Sequence, residues 1–231
     1  MTILKQLNHS ISHLLYPALC AGCGTGMTGT RSSICMRCLH DLPSTGFEKF
    51  PDNAVEKLFW GRVNISQASA AFYFSKKSII QELLHELKYR GNRGLGIQLG
   101  MIMGSKIRQA ERFSPDVLVP IPLFPSREKK RGYNQAALLC EGMSEILRIP
   151  VLNDLISRPH FTATQTRKGR IERWKNIEGK FELSNPQKIN GAHVLLVDDV
   201  VTTGATLESC GQELMKVAAN LSIAALCFTL K

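Results

Sequence analysis

Residues 194–206 run VLLVDDVVTTGAT. Four apolar residues lead into two adjacent carboxylates, Asp198 and Asp199, and then into Thr202, Thr203, Gly204 and Thr206. Burying a charge is costly, and neighbouring carboxylates repel each other, so the pair needs something to hold. The segment after Asp199 reads as a loop running into a helix start. Free backbone N–H groups and the positive end of the helix dipole suit a phosphate there. The threonine hydroxyls add donors, and Gly204 lets the backbone approach a ligand with no side chain in the way. Carboxylates repel that phosphate unless they bind a different part of the ligand. Sugar hydroxyls fit, because a carboxylate accepts their hydrogen bonds. A ribose with vicinal hydroxyls and a 5′-phosphate meets both halves of the motif.

Competing chemistries for a strand ending in Asp-Asp lack their other parts. A Walker B acid needs a P-loop, and no G-x-x-x-x-G-K-[ST] occurs in the chain. A phosphorylatable receiver domain carries its paired acids near its start, whereas only about thirty residues follow Asp199. An ordinary capped helix after a strand requires neither paired acids nor three threonines.

Cysteine spacing marks a second chemistry. Of seven cysteines, four form two pairs, Cys20-Ala-Gly-Cys23 and Cys35-Met-Arg-Cys38. Two Cys-x2-Cys knuckles at this separation are the pattern of a structural zinc site. A redox motif would need one pair only, in a βαβ setting. The odd total argues against a complete disulfide framework. His40 is near enough to ligate, but four cysteines already fill a tetrahedron. Cys140, Cys210 and Cys227 lie in apolar-patterned stretches and are expected in the core.

The elements that must position these residues alternate between strand and helix. Residues 1–16 carry a weak amphipathic pattern, and 17–45 hold the cysteine pairs. A module that small needs its metal to fold. Residues 46–66 look irregular. A strand is expected at Ala70–Phe74, then a helix capped by Ser78, a break at Gly91–Gly94 and a second helix from about Leu95 to Arg112. Val117–Val119 reads as a strand ending in Pro120-Ile121-Pro122, followed by a basic segment, 126–132. Asn134 caps the next helix, through about Arg148, and Val151-Leu152 opens another strand. A second basic segment over 158–180 reads as a mobile loop leading into a short helix. His193–Val200 is a strand apolar enough to be covered on both faces. A helix capped by Thr203 or a neighbour follows, and Leu221–Thr229 is a final strand. The pattern predicts an α/β fold with a parallel sheet, ligands binding beyond the carboxyl ends of its strands. The glycines at 91, 94 and 96 follow a helix rather than a strand and make no dinucleotide fingerprint.

Charge and composition set the partner class. Lys plus Arg number 29 against 19 Asp plus Glu, a net charge of +10. Such a balance suits anionic partners such as phosphorylated metabolites or nucleic acid, and equally a solubilising surface. No apolar stretch approaches the ~20 residues of a membrane helix. The N-terminal MTILKQLNHSISHLLYPALC is a poor leader sequence, so a cytoplasmic location is expected.

VLLVDDVVTTGAT resembles the 5-phosphoribosyl-1-pyrophosphate (PRPP) loop of type I phosphoribosyltransferases. The resemblance narrows to the ComF family of competence-associated proteins. The four cysteines resemble its N-terminal zinc module, PIPLFPSREKKRGYNQA (120–136) its first-strand loop, and ATQTRKGRIERWKNIEGKF (163–181) its basic loop. The likeness is weakest over residues 1–16 and 46–66. Phe124 departs from it, standing where many relatives have a polar residue, and bears on local pocket shape.

The resemblance implies a type I phosphoribosyltransferase-like parallel sheet flanked by helices (46–231), with a small N-terminal four-cysteine zinc ribbon (1–45). It implies that Asp198 and Asp199, the catalytic pair, hold the ribose hydroxyls of PRPP. Val200, Thr202, Thr203, Gly204, Ala205 and Thr206 would complete the PRPP site, with the 5′-phosphate cradled from Thr202 to Thr206. Backbone at Pro120, Ile121, Pro122 and Leu123 would touch the pyrophosphate. Magnesium would accompany PRPP, bridging pyrophosphate and ribose oxygens with few protein ligands. Lys129, Lys130, Arg131, Arg167, Arg170 and Arg173 are candidates for pyrophosphate or DNA, and Cys20, Cys23, Cys35 and Cys38 for zinc. Three readings stay open. The first is transfer of phosphoribose to an unidentified acceptor with release of pyrophosphate. The second is handling of single-stranded DNA in natural transformation. In that reading Tyr133, Phe161 and Trp174 either stack on bases or pack on their own domain. The third is a scaffold whose zinc ribbon docks a DNA-uptake partner such as a helicase.

Overall fold

A computed structural model describes residues 18–27, 32–158 and 181–229. The weakly amphipathic residues 1–16, and Arg167, Arg170, Arg173, Phe161 and Trp174 of the second basic segment, lie outside the described residues. In chain order the described elements are β1 (Ala18–Leu19), β2 (Gly26–Met27), α1 (Met36–His40), a 3-10 turn (Phe47–Lys49), α2 (Ala54–Lys57), β3 (Gln67–Phe74), α3 (Ile79–Tyr89), α4 (Arg93–Ala110), β4 (Val117–Pro120), α5 (Pro125–Arg131), α6 (Gln135–Leu147), β5 (Ile156–Ser157), β6 (Glu182–Leu183), a second 3-10 turn (Pro186–Ile189), β7 (His193–Val201), α7 (Ala205–Leu214) and β8 (Asn220–Thr229).

Strands β3, β8, β7 and β4 lie side by side in that order, all parallel. The apolar run of β7 is explained by burial on both faces. Leu195 and Val197 pack into one core with Leu83 and Leu87 of α3, Leu99 of α4 and Leu139 of α6. Val194 and Leu196 pack into another with Val55 of α2, Phe59, and Leu207 and Leu214 of α7. Cys140, Cys210 and Cys227 are buried core residues, as expected.

Local signals explain the helix ends. Ser78 Oγ accepts from Gln81 N at the start of α3, and Asn134 Oδ1 accepts from Ala136 N at the start of α6. Asn92 caps α4, which therefore begins at Arg93, two residues before the expected start. Helices α4 and α6 approach backbone to backbone: a Cβ on Gly142 would collide with the Ile97 carbonyl.

Three expectations change. The segment 126–132 forms helix α5, opened by Pro125 and closed by Gly132 at φ 80°. Val151 makes only an isolated bridge to Leu118, and Leu152 lies outside any strand. Residues 46–66 contain a 3-10 turn and α2, whose cap Asn53 accepts from Val55 N and Glu56 N and donates to the Ala68 carbonyl at 2.8 Å. The cap of α7 falls on the neighbour of Thr203, Gly204, at φ 76°, within the expected span.

Candidate functional site

Asp198 and Asp199 lie toward the end of β7, just past the end of β4, while β8 runs on beside them to Thr229. Pro120 pairs with Val197, the Ile121 N–H donates to the Val197 carbonyl at 2.9 Å, and Asp198 sits opposite Ala225. The loop Pro120–Leu123 therefore starts beside the two carboxylates. Alternation along the strand sends successive side chains to opposite faces. Asp199 Oδ2 meets Lys88 Nζ of α3 at 2.8 Å, with both side chains largely buried. Asp198 turns the other way: its charge is felt at Cys210 of α7, and that of Asp199 at Cys227 of β8.

Burial pushes the Asp198 carboxyl from its ordinary 3.8 up to about 7, and the Asp199 charge adds to the rise. The Asp199 N–H, which donates to Asp198 Oδ1 at 2.7 Å, opposes it, as do the charges of Lys88 and Arg158. Arg158 lies over the rings of Phe124 at 4.4 Å and Phe181 at 4.6 Å. Phe124, the residue that departs from the family pattern, thus braces a cation whose field reaches the site. Neither Lys88 nor Arg158 carries a sequence signal. Each is one basic residue among many, and only the fold brings it to the aspartates.

Thr202 and Thr203 are exposed and Thr206 is half-buried at the start of α7. Thr203 Oγ1 accepts from Ala205 N at 3.5 Å. The loop rests on the segment between α2 and β3. A Cβ on Gly204 would come within 3.0 Å of the fully buried Phe59 ring, so close contact and a positive φ both demand glycine. Arg62 clamps the loop from outside. Its Nη1 donates to the carbonyls of Leu58 and Thr203, each at 2.9 Å, and its Nη2 pairs with Glu208 in the first turn of α7. That pairing offsets a carboxylate that would repel an anion at the helix start.

Lys129 and Lys130 are exposed on α5. Arg131 donates to Gln135 Oε1 at 2.7 Å and lies over the Tyr89 ring. Tyr133 is buried and its hydroxyl donates to the Leu87 carbonyl at 2.6 Å, so it packs on its own domain rather than meeting bases. A cavity of about 870 Å³ takes in Pro120, Pro122, Leu123, Asn134 and Arg158, but neither aspartate.

The four cysteine sulfurs of the first module lie within 4.8 Å of one another. Cys23 Sγ and Cys35 Sγ are 3.8 Å apart, which matches the edge of a tetrahedron built on Zn–S bonds of about 2.3 Å. Backbone N–H groups of Gly22 and Cys35 point at Cys20 Sγ, and that of Cys38 at Cys35 Sγ. Such donors stabilise thiolates, so the set fits zinc held by Cys20, Cys23, Cys35 and Cys38.

The phosphoribosyl transferase domain family matches residues 134–230. The DNA utilization protein YhgH of Escherichia coli O157:H7 is 31% identical over 218 residues, spanning 92% of this chain and 85% of that protein. The chain belongs to the ComF family. Competence protein F of Haemophilus influenzae is 33% identical over 140 residues, spanning 58% of this chain and 61% of that protein. Competence protein ComFC of Bacillus subtilis is 29% identical over 157 residues, spanning 68% and 61%. Matching solved structures include a glutamine PRPP amidotransferase from B. subtilis, at 16% identity and TM-score 0.40 over 57% of this chain and 26% of that one. This ComF chain thus joins a type I phosphoribosyltransferase-like parallel sheet to an N-terminal four-cysteine cluster. Among the described residues no helix is long and apolar enough to cross a membrane.

Proposed function

We propose that this ComF chain binds PRPP at the end of β7 and handles single-stranded DNA in the cytosol during natural transformation. The observation that carries PRPP binding is the juxtaposition of Asp198 and Asp199 with the start of α7 and the loop Pro120–Leu123. Asp198 and Asp199 accept hydrogen bonds from the ribose hydroxyls. Val200 leads the chain from them to the cradle, where Thr202, Thr203, Gly204, Ala205 and Thr206 take the 5′-phosphate at the positive end of α7. Backbone at Pro120–Leu123 faces the pyrophosphate. Mg²⁺ bound with PRPP would neutralise pyrophosphate charge while keeping few protein ligands. The names of the relatives, DNA utilization and competence proteins, support the DNA role. A zinc ribbon ending near residue 45 and a phosphoribosyltransferase-like domain beyond it are the two modules of this reading.

One feature favours turnover as a second reading. A carboxyl held at about 7 suits a general base that takes a proton from an acceptor at neutral pH while pyrophosphate leaves. Calorimetric titration of the zinc-loaded protein with PRPP and Mg²⁺ tests the first reading. Binding is expected, and Asp198→Asn/Asp199→Asn is expected to abolish it; a double variant that binds as tightly as wild type overturns it.

A further inference from the structure

The surface next to Asp199 carries several cations that no described carboxylate pairs with. Lys88, the partner of Asp199, is followed by Tyr89, Arg90 and, past the turn at Gly91, by Arg93. Helix α5 adds Arg127, Lys129, Lys130 and Arg131. The acids on the same elements are Glu82, Glu86 and Glu128, and of these Glu86 pairs with Arg90 at 2.9 Å. Among the described residues, Arg93, Arg127, Lys129, Lys130 and Arg131 have no carboxylate in ion-pair reach.

Three of these arginines are seated on aromatic rings. Arg131 lies 5.6 Å from the centroid of Tyr89, Arg93 5.4 Å from that of Tyr133, and Arg127 5.5 Å from that of Phe124. A ring beneath a guanidinium holds its plane and leaves the N–H edges outward, so less rotamer freedom is lost when they meet an anion. Tyr133 is itself fixed by its bond to the Leu87 carbonyl. Tyr89 differs from the other two rings. It is 65% exposed, an unusual setting for a large aromatic side chain. Arg131 lies on this ring and His85 stands tilted beside it, centroids 5.1 Å apart, and an exposed ring beside an ordered guanidinium is a combination that binds unpaired bases and their phosphates.

We propose that this face docks single-stranded nucleic acid, with phosphates on Arg93, Arg127, Lys129, Lys130 and Arg131 and a base stacked on Tyr89, one residue from the lysine that holds Asp199. The inference rests on the nucleic-acid reading above and gives that reading a location. It assigns the basic residues of α5 to a polymer rather than to pyrophosphate. A duplex hides the faces of its bases from Tyr89. A membrane surface would want apolar side chains to insert, and the exposed neighbours here are Gly91, Gly94 and Ser126.

The test is fluorescence anisotropy of a labelled oligothymidylate with the zinc-loaded full chain, across a salt series. Tyr89→Ala is expected to weaken binding by at least about fivefold, as loss of one stacked base does, and Tyr89→Phe to retain it. Arg93→Glu/Arg127→Glu is expected to cost more than about tenfold and to flatten the log–log salt slope by about 1.4, two phosphate contacts' worth. A duplex of the same length should compete poorly. PRPP binding by Tyr89→Ala should match wild type, which shows the site intact. Wild-type binding that all these variants share would overturn the surface and leave the nucleic-acid reading standing. No wild-type binding at low salt would overturn both. Equal affinity for duplex, or for vesicles of anionic lipid, would overturn the single-strand assignment.

Discussion

At the scale of single residues, Asp198 links stability to pH. Below its ordinary value of 3.8 this carboxyl is protonated in both the folded and the unfolded chain and has no effect on stability. Between there and about 7 the folded chain keeps a proton that the unfolded chain has released, so stability falls as pH rises. Above about 7 the loss is complete, on the order of a few kcal/mol. Asp198→Asn retains the acceptor for the Asp199 N–H and removes the charge. Denaturant titrations should find this variant more stable than wild type above neutral pH, with a flatter pH dependence, while PRPP binding is lost. Wild type and variant showing parallel pH profiles would refute the assignment. The paired aspartates were legible in the sequence because adjacent acids inside an apolar run demand a reason. Their counter-charges were not: Lys88 and Arg158 look like any surface cation until α3 and the segment after β5 bring them to the strand end.

At the scale of elements, the segment between α2 and β3 holds the loop that we propose cradles the phosphate. It looked irregular because α2 is four residues long and its supports are non-local, namely Asn53 to Ala68, Phe59 under Gly204 and Arg62 to Thr203. Short helices of this kind leave no periodicity to read. The long elements, by contrast, were plain. Ser78 and Asn134 announced α3 and α6, and the doubly apolar run announced β7. Of the two candidates the sequence offered for the cap of α7, Thr203 or a neighbour, the glycine takes the position for a physical reason. A loop that presents N–H groups outward turns at a left-handed glycine, and its threonine hydroxyls stay exposed. Arg62 both ties the Thr203 carbonyl and masks Glu208. Arg62→Ala is therefore expected to weaken PRPP binding by about tenfold, the worth of one charge-assisted hydrogen bond. Adding Glu208→Gln should recover part of that loss, since it removes the unmasked charge. Calorimetry on the two variants checks this. A drop in thermal stability with PRPP affinity unchanged would make Arg62 a structural residue only.

At the scale of the whole molecule, the cysteine module and the ligand site share one core. Cys20, Ile34 and Cys38 are buried with Ile80, Leu83 and Leu87 of α3. A Cβ on Gly22 would lie 3.0 Å from Ile79 Cγ2, and Ser33 N donates to Gln98 Oε1 of α4 at 2.8 Å. The next residue along α3 from Leu87 is Lys88, the partner of Asp199. One helix, α3, thus packs against the cysteine module through its apolar face and carries Lys88, the partner of Asp199. The spacing of the cysteines marked the four-sulfur cluster, but nothing in the sequence said which helix it would pack against. Because a module of this size depends on its metal, chelation should loosen the seat of α3. We expect metal removal to lower the melting temperature by at least about 5 °C, the scale of a loss of one to two kcal/mol in a domain of this length. PRPP binding should weaken in parallel, and added Zn²⁺ should restore both. Cys35→Ser should reproduce the chelated state without a chelator present. If the metal-free protein instead binds PRPP as tightly as the loaded one, then α3 holds Lys88 without help from the ribbon, and the two modules act independently.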